Sequence, residues 1–397
     1  MNPYLPQLHP YPFEKLAQLK QGIIPPADKT PIALSIGEPQ HATPEFIKAA
    51  IRDHIDTLGN YPTTKGLPEL RDAISEWVAQ RFQLPVEAMH ADTQVLPVNG
   101  TREALFAFAQ CVLNADEKPL VIMPNPFYQI YEGAALLAGA EPYYLNTLAE
   151  NQYLPDFDSV PESAWQRCQL LYICSPGNPT GAVIEQVTHE KLIKLSLQYD
   201  FVIASDECYS EIYDDESNPP QGLLQSAYAM GHTSFKNCVI FHSLSKRSNA
   251  PGLRSGFVAG DAQILEQFFK YRTYHGCAMP VPTQYASIAG WQDEVHVREN
   301  RHFYREKFAA VTEILGSACE LQQPPASFYL WVKTSVDDAE FAQQLFAQEN
   351  VTVLPGRYLS RETNGVNPGK NHVRMALVAL LEECIDAAHR IKNFIKG

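Results

Sequence analysis

A lysine stands among hydroxyls in His242-Ser243-Leu244-Ser245-Lys246-Arg247-Ser248, and Arg254 follows eight residues later. An amine condenses with an aldehyde only in its neutral form, so a site using Lys246 must depress its pKa by desolvation or a cationic neighbour, and Arg254 offers that charge. Ser243, Ser245 and Arg254 together supply donors suited to a phosphate. The stretch reads as an anchor for an aldehyde-bearing, phosphate-tailed cofactor, although a solvated Lys-Arg patch in a serine-rich loop has the same composition.

Three further segments place polar groups where elements end. Leu170-Leu171-Tyr172-Ile173-Cys174 is an apolar run of strand length that stops at Ser175-Pro176-Gly177-Asn178-Pro179-Thr180-Gly181. Asn178 therefore sits at a strand end, where its amide can donate to a ring oxygen or form an Asx turn. Phe201-Val202-Ile203-Ala204-Ser205 runs straight into Asp206, with Tyr209 three residues on. A carboxylate ending a buried strand needs a positive or hydrogen-bonded partner, which a protonated ring nitrogen would be; a helix N-cap is the structural alternative. Val95-Leu96-Pro97-Val98 precedes Asn99-Gly100-Thr101-Arg102 and a helical pattern. The free N–H groups of Gly100, Thr101 and Arg102 would face an anion at that helix start, though Gly-Thr is also a routine cap. No G-x-G-x-x-G and no Walker A sequence occurs, which disfavours a dinucleotide or nucleoside triphosphate.

With these residues in view, the chain resembles the fold-type I, pyridoxal phosphate-dependent class I/II aminotransferases over nearly its whole length. The resemblance implies an α/β fold: a large domain with a mostly parallel central sheet flanked by helices, and a small α+β domain formed by both chain ends. It implies residues 1–50 as arm and part of the small domain, 51–285 as the large domain, and 286–397 as connecting helix and C-terminal small domain. Lys246 is then the Schiff-base lysine, Asp206 the partner of the pyridine nitrogen, and Asn178 and Tyr209 donors to the phenolate oxygen. Ser243, Ser245 and Arg254 join Gly100, Thr101 and Arg102 around the phosphate. Phe127 falls where relatives stack an aromatic on the ring, with Tyr128 the competing assignment. Arg374, in an apolar strand, matches the arginine that forks onto the substrate α-carboxylate, and Gly37 the glycine closing over it. Tyr61 matches a tyrosine that reaches the neighbouring subunit's phosphate, which implies a homodimer. Residues 271–278 fall where relatives send a loop across that dimer.

Composition agrees. The formal net charge is −14, which disfavours nucleic acid or an anionic membrane as partner. No apolar run is long enough to span a bilayer and no secretory signal is evident, so a cytoplasmic enzyme is expected. Eight cysteines lack a C-x-x-C pair and should be free thiols; twelve histidines show no ligand spacing, so no metal is expected. Helical and strand patterns alternate from about 93 to 280. A helical stretch from about 283 to 316 follows, with Arg298, Glu299, Arg301 and Arg305 on a solvated face. Strands are then expected at 327–332, 351–354 and around Arg374, with a closing helix near 381–395.

Local wording, including Pro10-Tyr11-Pro12-Phe13-Glu14-Lys15-Leu16, Asn125-Pro126-Phe127-Tyr128-Gln129-Ile130-Tyr131 and Tyr274-His275-Gly276-Cys277, is similar to bacterial N-succinyldiaminopimelate aminotransferases. The expected substrates are glutamate with 2-oxoglutarate and an N-succinylated diaminopimelate, exchanged by ping-pong chemistry in lysine biosynthesis. Arg247, Arg272 and Lys65 are the positional candidates for its distal anion. The alternatives are another class I substrate (aspartate, aromatic or N-acetylated), a cysteine-conjugate β-lyase, and a non-catalytic cofactor-binding sensor.

Overall fold

Strands rich in β-branched and aromatic residues and buried on both faces demand cover on both sides, and the chain supplies it with crossover helices. The computed structural model describes residues 1–397. Twelve strands follow one another: β1 Ile32–Ala33, β2 Val95–Val98, β3 Leu120–Asn125, β4 Glu141–Asn146, β5 Cys168–Cys174, β6 Val202–Asp206, β7 Cys238–Ser243, β8 Gly256–Gly260, β9 Tyr329–Lys333, β10 Val351–Thr352, β11 Leu354–Pro355 and β12 His372–Ala376.

Seven of them form one sheet in the order β2-β8-β7-β6-β5-β3-β4. Only β8 runs antiparallel to its neighbours. Alternate residues of each strand enter opposite cores. On one face Leu171, Ile173, Ile203 and Ile240 pack with Leu70, Ile74 and Trp77 of the helix Pro68–Arg81 and with Leu192 and Ile193 of Gln186–Tyr199. On the other, Leu170, Tyr172, Ala204 and Phe241 meet Leu105 and Phe108 of the helix Thr101–Val112 and Leu265 and Phe268 of Ala262–His275. The parallel strands deliver their C-terminal ends to one edge, where Asp206 ends β6 and the segments after the strands carry Gly100, Tyr128, Asn178 and Lys246.

A smaller layer is antiparallel, in the order β11-β12-β9, and its apolar face is covered by the helices Asp338–Glu349 and Leu381–Lys396. The amino-terminal segment joins it, since Ile32 and Ala33 pair in parallel with Val351 and Thr352. The expected strand at 351–354 is split in two, and the helix Asp338–Glu349 had no counterpart in the sequence reading. The stretch expected to be helical from 283 to 316 is two helices, Val281–Gln292 and Val295–Leu315. Its solvated face also needs correction. Arg301 is buried, with Nε donating to Glu216 at 2.9 Å, because the loop after β6 folds back over it. All eight cysteines are free, and Cys168, Cys238 and Cys384 are buried. No helix is long and apolar enough to cross a membrane.

Candidate active site

Where the C-terminal ends of β5, β6 and β7 meet the small layer, a cavity of about 410 Å³ opens, and Lys246 projects into it. Lys246 lies on the single helical turn Leu244–Arg247, which Ser243 caps by accepting from Ser245 N at 3.0 Å. Its Nζ donates to the Gly37 carbonyl and lies 5.5 Å from the centre of the Phe328 ring. Burial pulls its pKa down to about 8, with Arg374 and Arg254 pushing the same way and Cys208 and Glu38 opposing. Asp206 is 4% exposed and meets neutral donors, the Tyr131 hydroxyl at 2.6 Å and Cys208 N at 3.3 Å. Burial raises its pKa, so the carboxylate lacks the cation that its position calls for.

One wall offers an anion seat. Gly100 has φ 84° and caps the helix Thr101–Val112, leaving the N–H groups of its first turn free. A Cβ at Gly100 would run into the Arg254 guanidinium, so glycine there lets the arginine close against the turn. Thr101, Ser243, Ser245 and Arg254 line the cavity around it. On the opposite wall Arg374 Nη1 donates to Asn178 Oδ1 at 2.9 Å and Nη2 to the Ser35 carbonyl at 2.7 Å, while its buried Nε has no partner. An arginine 4% exposed whose hydrogen bonds go only to neutral oxygens has charge and a free Nε that a carboxylate could satisfy. Tyr209 shares a 2.9 Å hydrogen bond with Tyr329, whose hydroxyl lies so close to Gly37 that any side chain there would collide with it.

The class I and II aminotransferase profile matches residues 29–388. The chain belongs to that family. LL-diaminopimelate aminotransferase of Nitratidesulfovibrio vulgaris is 31% identical over 372 residues, covering 91% of each chain, and that of Aquifex aeolicus is 32% identical over 394 residues, covering 97% of each. A crystal structure of an aminotransferase from Neisseria meningitidis superposes with a TM-score of 0.95 at 48% identity over 100% of both chains. A probable N-succinyldiaminopimelate aminotransferase from Thermus thermophilus gives 0.83 at 25% identity, covering 96% of this chain and 99% of its own. Class I and II aminotransferases depend on pyridoxal phosphate. The donor set of this aminotransferase suits that cofactor: a depressed lysine, a buried carboxylate without a cation, and hydroxyl, guanidinium and helix-start donors gathered on one wall.

Several residues of this aminotransferase lie elsewhere than the sequence reading put them. Phe127 does not line the cavity: it is 1% exposed, stacks on Tyr144 at 5.5 Å between centres and lies under the Arg361 guanidinium, while the next residue, Tyr128, faces the cavity. The backbone N–H of Phe127 donates to the Leu359 carbonyl at 3.0 Å. Arg102 lines the cavity, but its side chain leaves the anion wall, donating to Tyr128 Oη at 2.7 Å and Tyr11 Oη at 3.2 Å. Arg247, Arg272 and Lys65 lie outside the cavity, paired with Glu294, Glu103 and Asp92. Most of the supposed loop at 271–278 is the end of the helix Ala262–His275. Tyr61, expected to serve a second copy and not its own cavity, is fully exposed and does not line the cavity of its own chain. Tyr131, the partner of Asp206, escaped the sequence reading. Its place three residues after Tyr128, in the first turn of the helix Gln129–Leu137, was the available signal.

Proposed function

We propose that this aminotransferase passes an amino group between glutamate and a diaminopimelate derivative, with N-succinyl-LL-2,6-diaminopimelate as amino substrate and 2-oxoglutarate as acceptor. One observation carries the reading. Four basic side chains, Arg102, Lys246, Arg254 and Arg374, line the cavity. Lys246 is the reacting amine, Arg254 belongs to the phosphate wall and Arg374 to the α-carboxylate. That leaves Arg102, held by two tyrosine hydroxyls and no carboxylate, for an anion at the far end of the substrate.

Pyridoxal phosphate, when bound, accepts the amino group and spreads the electron pair left by the departing α-proton. The Lys246 amine, neutral above about pH 8, takes that proton and later returns one as general base and acid. Arg374 and Asn178 fix the carboxylate so that the breaking C–H bond stays within reach of Nζ. Asp206 would keep the pyridine nitrogen protonated, and Tyr61 of a second copy would complete the phosphate wall.

The named relatives favour a second substrate, unacylated LL-diaminopimelate, and Glu38 on the cavity wall would meet its distal ammonium. Adding glutamate to the purified enzyme should convert the visible cofactor band, and N-succinyl-2-amino-6-oxopimelate should restore it. Restoration only by the unacylated keto acid would select the second reading, and restoration by neither would discard both. Arg102→Leu should lower kcat/KM for the dicarboxylic partner about 10- to 100-fold, the worth of one charge-assisted contact, while leaving alanine as donor nearly unaffected.

A further inference from the structure

The turn that carries Lys246 is too short to hold itself. Four residues give it one backbone hydrogen bond out of its C-terminal end, Ser248 N to the Leu244 carbonyl at 3.0 Å, and leave later carbonyls without helical partners. Those carbonyls are met from another element. Asn300, 2% exposed on the helix Val295–Leu315, donates through Nδ2 to the Lys246 carbonyl at 3.1 Å and to the Arg247 carbonyl at 3.4 Å. Its Oδ1 accepts from Asn249 Nδ2 at 3.0 Å and lies 3.1 Å from His41 Nδ1. The amide is used at all four positions, which fixes which end is nitrogen and sets His41 as the donor.

His41 closes a loop through the molecule. The segment Gly37–His41 receives the Lys246 amine at the Gly37 carbonyl and reaches the Lys246 backbone through His41 and Asn300. His41 is held by ring contacts with Phe303 at 4.9 Å and Tyr304 at 5.2 Å. Asn300 does not line the active-site cavity. It lines a second cavity of about 780 Å³ behind the lysine, between the two parts of the fold.

We propose that Asn300 is a positioning residue for the reaction: it pins the backbone from which Lys246 reaches the α-proton and couples that backbone, through His41, to the segment that closes over the substrate carboxylate. The inference rests on Lys246 being the proton carrier and is independent of which distal group the substrate bears, so glutamate suffices as probe.

Asn300→Asp keeps the shape and both accepted hydrogen bonds and removes the two donated to the lysine turn. With cofactor loaded, kcat for the glutamate half-reaction should fall about 10- to 100-fold, as expected when a reacting group is displaced by a fraction of an ångström, while KM stays within about threefold. The isotope effect with α-deuterated glutamate should grow, because proton transfer becomes slower than the other steps. In the cofactor-free protein, carbamylation of Lys246 by cyanate, read by mass spectrometry across pH, should change in rate or midpoint. His41→Phe keeps the ring contacts, removes only the donor, and should move the same readouts in the same direction by less. Glu299→Gln, exposed on the same helix, should move none of them. A wild-type isotope effect and wild-type Lys246 labelling in Asn300→Asp would overturn the proposal. So would a uniform loss of melting temperature, KM and kcat in Asn300→Asp with His41→Phe unchanged, which would make Asn300 a fold residue only. Transamination surviving in Lys246→Ala would instead remove the premise about the lysine.

Discussion

At the residue scale the site is a set of charges left deliberately incomplete by the chain itself. Lys246 titrates near 8 in the folded protein against 10.5 as a free side chain. Between those values the unfolded chain holds a proton that the folded one has released, so the cofactor-free protein should gain stability as pH rises through this window. Asp206 works in the opposite sense. Its folded pKa is raised, so its burial costs most above that value and is relieved on acidification. Asp206→Asn should therefore raise the melting temperature of the cofactor-free protein at neutral pH, while lowering kcat of the loaded enzyme by about 10²–10³-fold, the usual loss when one aimed charge is removed. Thermal melts without cofactor and half-reaction kinetics with it separate the two effects. Arg374→Lys should reduce kcat/KM for every amino acid by about 10²-fold, because a point charge cannot replace a planar fork that also bonds Asn178 and Ser35.

At the scale of elements, turns rather than helices or strands set the site. Gly100 joins β2 to its helix with a positive φ and leaves room for Arg254. Gly100→Ala adds one methyl where both backbone and guanidinium object. It should weaken cofactor binding by about tenfold or more, measured by absorbance titration, with an unchanged far-ultraviolet spectrum, since the helix keeps its core contacts through Ala104, Leu105 and Phe108. The legibility of these elements from sequence was uneven for a physical reason. Strands buried on both faces announce themselves as apolar runs, and β5, β6 and β7 were found that way. The helix Asp338–Glu349 left signals that went unread: Phe341, Ala342 and Leu345 fall on one buried face, and Asp337 caps its start by accepting from Ala339 N and Glu340 N.

Across the whole molecule, the small layer closes one side of the cavity with residues from both chain ends, Gly37 from the first and Arg374 from the last. A second copy would have to supply Tyr61, whose side chain is fully exposed here beside Ile55 and Leu58, both also exposed. Partly exposed apolar groups in one segment suit an interface. Mixed dimers test this. Tyr61→Ala and Lys246→Ala, each with impaired activity alone, should form a heterodimer with about half of the wild-type activity per dimer when refolded together, because one of the two shared sites then holds both native residues. Absence of any recovery would place Tyr61 outside the site.

Taken alone, the order of residues settled what chemistry was on offer. A lysine among hydroxyls, a carboxylate at a strand end, an asparagine in a proline-rich turn and an arginine in an apolar strand are each costly or pointless unless something binds them, and that cost is readable locally. Tertiary structure alone decided which neighbours they meet. Phe127 and Tyr128 are adjacent aromatics, and only the folded chain separates them: Phe127 stacks on Tyr144 beneath Arg361, more than two hundred residues away, while Tyr128 faces the cavity. Arg102, Arg247 and Arg272 are indistinguishable as letters; two find carboxylates far along the chain, Glu294 and Glu103, and one does not. Asn300 became visible only when its helix packed against the lysine turn, because a hydrogen bond between side chain and distant backbone leaves no periodicity in the sequence.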